Sequence, residues 1–320
     1  MKTRWNSTPS WHKTRSLSIN FRAWPLAPRT VQGQKKSPMM LKRLWLAASA
    51  LSLLACASVG PDTALPDSFF AAKIQQLLPA DAILLGEQHD APDHQRIHRI
   101  SVETLVAQNK LAALALEMAT AGMSTELLSP HADETQVRAA LQWNNDSWPW
   151  AAFGPVVMTA VRAGVPVVGA NIATTVQREA MVNVRFDGLL RGPALKAQQQ
   201  NIRAGHCHML PESQITPMTR IQIARDVSMA ETLIRFAQPG KTVLLLAGQG
   251  HVERSLGVAQ HLPPDFKAQT VLLGIAPAAD ASEAIADPDQ TWPALPAPAV
   301  DYCGEFAASR AASQPGVAPK

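Results

Sequence analysis

The chain has one tyrosine, three cysteines and few aromatic side chains of any kind, 5% of 320 residues. Three cysteines, Cys56, Cys207 and Cys303, are too widely spaced for a zinc ribbon. In an exported chain Cys207 and Cys303 can form a disulfide, and their separation leaves open whether they meet. Acidic residues are missing from the first 56 positions, which hold 10 of the 29 Lys and Arg. The remainder carries 19 basic and 25 acidic side chains, a net charge of −6. The pI of 9.1 therefore belongs to the leader and gives no support for a nucleic-acid partner.

That leader has a pattern of its own. From Met39 or Met40, Lys42-Arg43 form a positive start and Leu44 to Ala55 an apolar, small-residue run. Leu53-Leu54-Ala55-Cys56 closes it and resembles the lipobox of bacterial lipoprotein signals. The run is too short to span a bilayer and reads as a signal peptide over 39–56, with Cys56 as the lipidated first residue of the mature chain. Each buried methylene of an acyl chain contributes roughly 0.8 kcal/mol, so several chains hold a protein to a membrane without a span. Residues 1–38, basic and aperiodic, read as a mis-assigned gene start or a disordered extension. Ala57 lacks the aspartate associated with inner-membrane retention, and the expectation is an outer-membrane lipoprotein facing the periplasm or the surface.

After a tether over 57–66, strand and helix patterns alternate. Apolar runs at Ala82–Gly86, Leu111–Met118, Val165–Ala170, Val243–Ala247 and Thr270–Leu273 suit strands buried on both faces. Helices are expected at 67–78 with Asp67 as N-cap, from Pro92 to Asn109, and over 133–143, 148–164, 174–190 and 215–237. Ala299–Tyr302 reads as an edge strand, and the tail from Ala307 as disordered. This order predicts an α/β fold over 67–306: a mostly parallel central sheet, helices on both faces and a helical lobe over the crevice.

Two strands end alike, in Gly86-Glu87-Gln88-His89 and Gly248-Gln249-Gly250-His251. Ligands of open α/β sheets bind beyond the carboxyl ends of the strands, so the two exits place His89 and His251 on one site. Glu87 and Asp90 lie beside the first, and His94 and His98 share a face of the next helix, His98 being read as a surface residue. Glu117 at the end of an apolar strand needs a partner, because a lone buried carboxylate is costly. Asn171 is placed to bind a ligand or cap a helix, and Asp226 to face either the site or a structural arginine. His206-Cys207-His208 forms a loop cluster with weak metal-ligand character.

The ordered set Leu84-Leu85-Gly86-Glu87-Gln88-His89-Asp90 with His94, Glu117, Trp150 to Asn171, His206 to Glu212, Ala224-Arg225-Asp226, Met229-Ala230, Ala247 to Val252 and Asp301-Tyr302 resembles the ChaN family of haem-binding lipoproteins in the Tiki-like superfamily. The resemblance implies an α/β fold, a lipid anchor, and haem or iron uptake with haem held between paired subunits by a tyrosine on the iron. His89, His94, Glu117, Asn171, His251 and Tyr302 are then the candidate haem-site residues. The aromatic after Trp150 is Phe153, which has no oxygen, so a phenolate can come only from Tyr302. The wider superfamily implies an alternative, a metal-dependent hydrolase with a divalent ion on His89, Glu117 and His251 and Glu87 as general base. A non-catalytic envelope interaction protein is the third reading.

Overall fold

The computed structural model describes residues 64–274 and 288–313. The expectations for the start, the signal peptide, Cys56 and most of the tether fall outside these residues, as do 314–320. Helices α1 (Asp67–Gln76), α2 (Pro92–Ala107), α3 (Glu134–Ala140) and α4 (Trp150–Arg162) interleave with β1 (Ala82–Glu87), β2 (Leu111–Thr120) and β3 (Val167–Asn171). Then follow α5 (Thr174–Val182), α6 (Gly192–Gly205), α7 (Glu212–Phe236), β4 (Thr242–Gly248), the single turn α8 (Gln249–Val252), β5 (Ala268–Gly274), β6 (Gln290–Pro293) and α9 (Tyr302–Ser313).

The six strands form one sheet in the order β3-β2-β4-β1-β5-β6, and every named pair is parallel. Alternation along each strand divides the core in two. Ile83, Leu85, Leu114, Leu116, Leu244 and Leu246 pack with residues of α1, α2 and α4 on one face. Ala82, Leu84, Ala113, Ala115, Val243 and Leu245 pack with Met229, Ala230 and Leu233 of α7 on the other. A smaller cluster, including Ala180, Phe186, Leu190 and Ile223, ties α5 and the following 3-10 turn to α7 and makes the helical lobe. Among the described residues no helix is long and apolar enough to cross a membrane.

Several local expectations change. Pro66 takes the N-cap position of α1, and Asp67 lies inside the first turn, where it pairs with Arg96. Helix α6 was not foreseen, because its interior buries only Gln198 and Ile202 and so carries almost no apolar stripe. The edge strand is Gln290–Pro293, a four-residue piece anchored by fully buried Trp292, and not Ala299–Tyr302. Tyr302 instead opens α9, which continues to Ser313 through alanine-rich sequence of high helix propensity and replaces the expected disorder from 307 to 313. Glu117 does not end β2, which runs on to Thr120 past an irregular register with β3.

Candidate functional site

Strands β1 and β4 lie side by side with Glu87 opposite Gly248, so both Gly-x-x-His segments leave the sheet at one edge. The glycines make room for close approaches. A Cβ on Gly86 would lie 2.2 Å from Val252 Cγ2, and one on Gly248 would lie 3.0 Å from His89 Nε2. The exits open a cleft of about 710 Å³ lined by Glu87, Gln88, His89, Asp90, Glu117, Gln222, Arg225, His251 and Tyr302 among others.

Glu117 is the hub. Arg225 Nη2 donates to its Oε1 and the Gly248 N–H donates to Oε2 at 2.6 Å. His251 Nε2 lies 3.5 Å from Oε1 and His89 Nε2 3.8 Å from Oε2. Arg225 is itself aimed by Asn171, whose Oδ1 accepts from Nε at 3.1 Å while its Nδ2 donates to the Glu117 carbonyl at 3.0 Å. Burial alone would raise the Glu117 carboxyl, but the charges of His251, Arg225 and His89 outweigh it and hold the group well below the usual carboxylate range.

His251 Nδ1 donates to Asp226 Oδ1 at 2.5 Å. Burial works against its protonation, yet Glu117 and Asp226 together push the imidazole up to about 9, so it is a cation at neutral pH. Burial pushes Asp226 up to about 6 against the pull of His251 and Arg225. His89 makes a different pairing, Nδ1 to Glu87 Oε1 at 2.8 Å, with Trp148 edge-on to its ring at 4.7 Å. Burial raises Glu87, while His89 is raised because the Glu87 hydrogen bond and the nearby carboxylates outweigh its own burial.

Behind this row the imidazoles are neutral. His94 is buried and its Nδ1 accepts the Gln88 N–H at 2.9 Å, which fixes the loop carrying His89; burial lowers it to about 4. His98 is fully buried, contrary to the surface reading, and burial lowers it to about 3. The polar i, i+4 spacing concealed this, because α2 packs that face towards Glu87, with His98 Nδ1 3.5 Å from Glu87 Oε2.

At the mouth Tyr302 donates its hydroxyl to Asp90 and accepts from Gln88 Nε2 at 3.2 Å. The next residue, Cys303, is disulfide-bonded to Cys207 and so ties this part of the chain to the loop after α6. That bond also removes Cys207 from the His206-Cys207-His208 cluster as a ligand.

Thus Glu87, His89, Glu117, His251 and Tyr302 converge on the cleft, Asn171 supports it through Arg225, and His94 stands behind it. Glu117, His89 and His251 are neighbours, but Arg225 and a backbone N–H already hold the carboxylate. Among the described residues no group of three or more His, Cys, Asp or Glu is arranged to hold a metal ion. Sequence reasoning missed the roles of Arg225, of Trp148 and of Gln222, whose Nε2 lies 3.1 Å from His251 Nδ1; the signals for Arg225 were its place beside Asp226 in a helix and in the Ala224-Arg225-Asp226 segment of the resemblance.

No curated protein matches the chain. A structure of ChaN of Campylobacter jejuni, described as binding haem cofacially, superposes with a TM-score of 0.55 at 23% identity, covering 66% of this chain and 88% of that one. RRSP, a MARTX toxin effector domain from Vibrio vulnificus, gives 0.39 at 15% identity over 63% of this chain and 35% of that one. A Bacillus cereus protein gives 0.39 at 14% over 67% and 70%. The family described as haem-binding uptake, Tiki superfamily, ChaN, matches residues 73–262, more than half of the sequence, and this chain belongs to that family.

Proposed function

We propose that this chain binds haem at the cleft beyond β1 and β4 in the service of haem or iron uptake, with Tyr302 as the ligand to iron. The observation that carries this is the position of the one tyrosine, half-exposed at the cleft mouth and hydrogen-bonded to Asp90. The residues fit the group. Tyrosine and histidine are both established ligands of haem iron, and the cleft falls in the ~300–1,000 Å³ range of small-molecule sites. When bound, haem supplies a ferric ion that favours the phenolate over the phenol.

The chain's own groups then have separate tasks. Asp90 accepts the hydrogen bond of the neutral Tyr302 phenol and orients its oxygen, and its carboxylate is placed to take the proton when the phenolate forms. His89, with a side chain 35% exposed, is the imidazole open to a ligand, and Glu87 holds its ring. The Glu117, Arg225 and His251 network is largely satisfied internally and keeps the floor of the cleft rigid. A planar ligand on half-exposed Tyr302 keeps one face towards solvent, and a second copy of the chain covers it. The lipid on Cys56 places the protein in the envelope, at the outer membrane.

Hemin titration of the purified chain tests this. The expected result is a saturable Soret band, association into dimers on loading, and loss of the tyrosinate spectrum in Tyr302→Phe. The absence of any saturable spectral change would remove haem binding. Labelled palmitate incorporated by the parent and not by Cys56→Ser tests the anchor.

A further inference from the structure

Cys303 directly follows Tyr302, and its partner Cys207 lies in the loop after α6, 96 residues earlier, with Cα atoms 5.7 Å apart. The start of α9 is thinly seated. Tyr302, Cys303, Gly304 and Glu305 are exposed, and Phe306 is half-buried against the edge of His206 at 5.8 Å. Residues 294–301, which connect β6 to α9, have no regular structure and no fully buried residue. Hydrogen bonds from an exposed phenol replace bonds to water and give little net stabilisation. Tyr302 and Asp90 belong to one chain, and a further covalent tie shortens the loop between them and raises their effective concentration.

We propose that Cys207 and Cys303 are positioning residues for Tyr302: their disulfide holds the phenol over the cleft, and opening it withdraws the phenol and weakens haem binding. The second half rests on the haem reading, and the first does not. A dithiol is the reductant. It supplies two electrons and two protons, the Cys207–Cys303 bond breaks, two thiols form and the dithiol leaves as its own disulfide. Withdrawal of Tyr302 removes the phenol from the cleft mouth and leaves His89 as the exposed imidazole there.

Fluorotyrosine incorporated into the full chain gives one fluorine resonance, that of Tyr302, since there is no other tyrosine. With the disulfide closed the phenol bonds to Asp90 and Gln88, so Asp90→Asn should move that resonance. In the Cys207→Ser/Cys303→Ser variant the phenol leaves Asp90, and the same Asp90→Asn change should move it no further. A resonance that answers to Asp90→Asn in the serine variant as it does in the parent overturns the proposal whatever hemin does. Should the variant not fold, as far-UV circular dichroism would report, the same comparison on the parent reduced by a phosphine decides the point.

Hemin separates the two halves. If the opened latch leaves Tyr302 on the cleft about a tenth of the time, the apparent Kd rises ~10-fold. Tyr302→Phe should then cost the serine variant only about a tenth of the factor that it costs the parent. Equal affinity in parent and serine variant, with binding lost in Tyr302→Phe, overturns the proposal and leaves the haem reading standing. A resonance that answers to Asp90→Asn only while the disulfide is closed, in a parent that binds no hemin, supports the positioning role and overturns the haem reading.

Discussion

His89 and His251 leave neighbouring strands by the same Gly-x-x-His spacing and end in opposite states. The His89 side chain is 35% exposed, has Glu87 as its hydrogen-bonded carboxylate and faces the cleft beside Trp148. The His251 side chain is 5% exposed and lies between Asp226 and Glu117. One imidazole is available to a ligand and the other is locked as a buried cation. The spacing sets only the backbone route out of the sheet. What each ring can do is decided by α7, which carries Arg225 and Asp226 to one of them and nothing comparable to the other.

The sharpest way to break this contrast is Arg225→Ala. It leaves Glu117 with a backbone N–H and the two imidazoles, and breaking such a largely buried pair should cost about 3 kcal/mol in denaturant unfolding. A loss under about 1 kcal/mol would show that the two histidines alone balance the carboxylate. Next comes Gly86→Ala, where the new Cβ meets Val252 at 2.2 Å and overpacking should cost about 1–3 kcal/mol in thermal unfolding.

The pH dependence separates the two rings themselves. His251 has a folded value of about 9 against 6.5 for the free side chain, so its contribution is complete below about pH 6.5 and is lost as pH rises through about 9. Urea unfolding at pH 6 and pH 9.5 should therefore differ by on the order of 1 kcal/mol, and His251→Gln should flatten that window. In Glu117→Gln the imidazole of His251, followed by NMR, should titrate at lower pH. The smallest effect belongs to Gly250→Ala, whose Cβ meets only Gln222 Nε2 at 3.9 Å and should change stability by no more than about 0.5 kcal/mol. A large loss there would mean that the second motif needs its inner glycine as much as the first needs Gly86.

The order of the strands through β5, and of the helices between them apart from α6 and the single turn α8, was legible because each buried strand is a continuous apolar run closed by Gly, Pro or a polar residue. The carboxylate at Glu117 was legible because its neighbours are apolar. Arg225 and Asp226 were not, since their meaning depends on which way α7 rolls on the sheet, and Met229, Ala230 and Leu233 settle that by packing on Ala82, Leu84 and Ala113. His98 was misread for the same reason: a polar stripe looks the same in sequence whether it meets water or Glu87. Tyr302 was expected at the site but on a strand, and its helix α9 was missed, because the contacts it makes there, the Cys303 bond to Cys207 and the hydrogen bond to Asp90, leave no periodic trace.

The insertion of β4 between β1 and β2 has a consequence for assembly. The first two strands touch no common partner until residues 242–248 arrive more than 120 positions later. Native pairing at the centre of the sheet is thus wholly long-range, a topology that slows folding. A chain emerging from its N-terminus cannot form the pocket floor early, and any fragment ending before Thr242 would lack both the middle rung of the sheet and the second histidine.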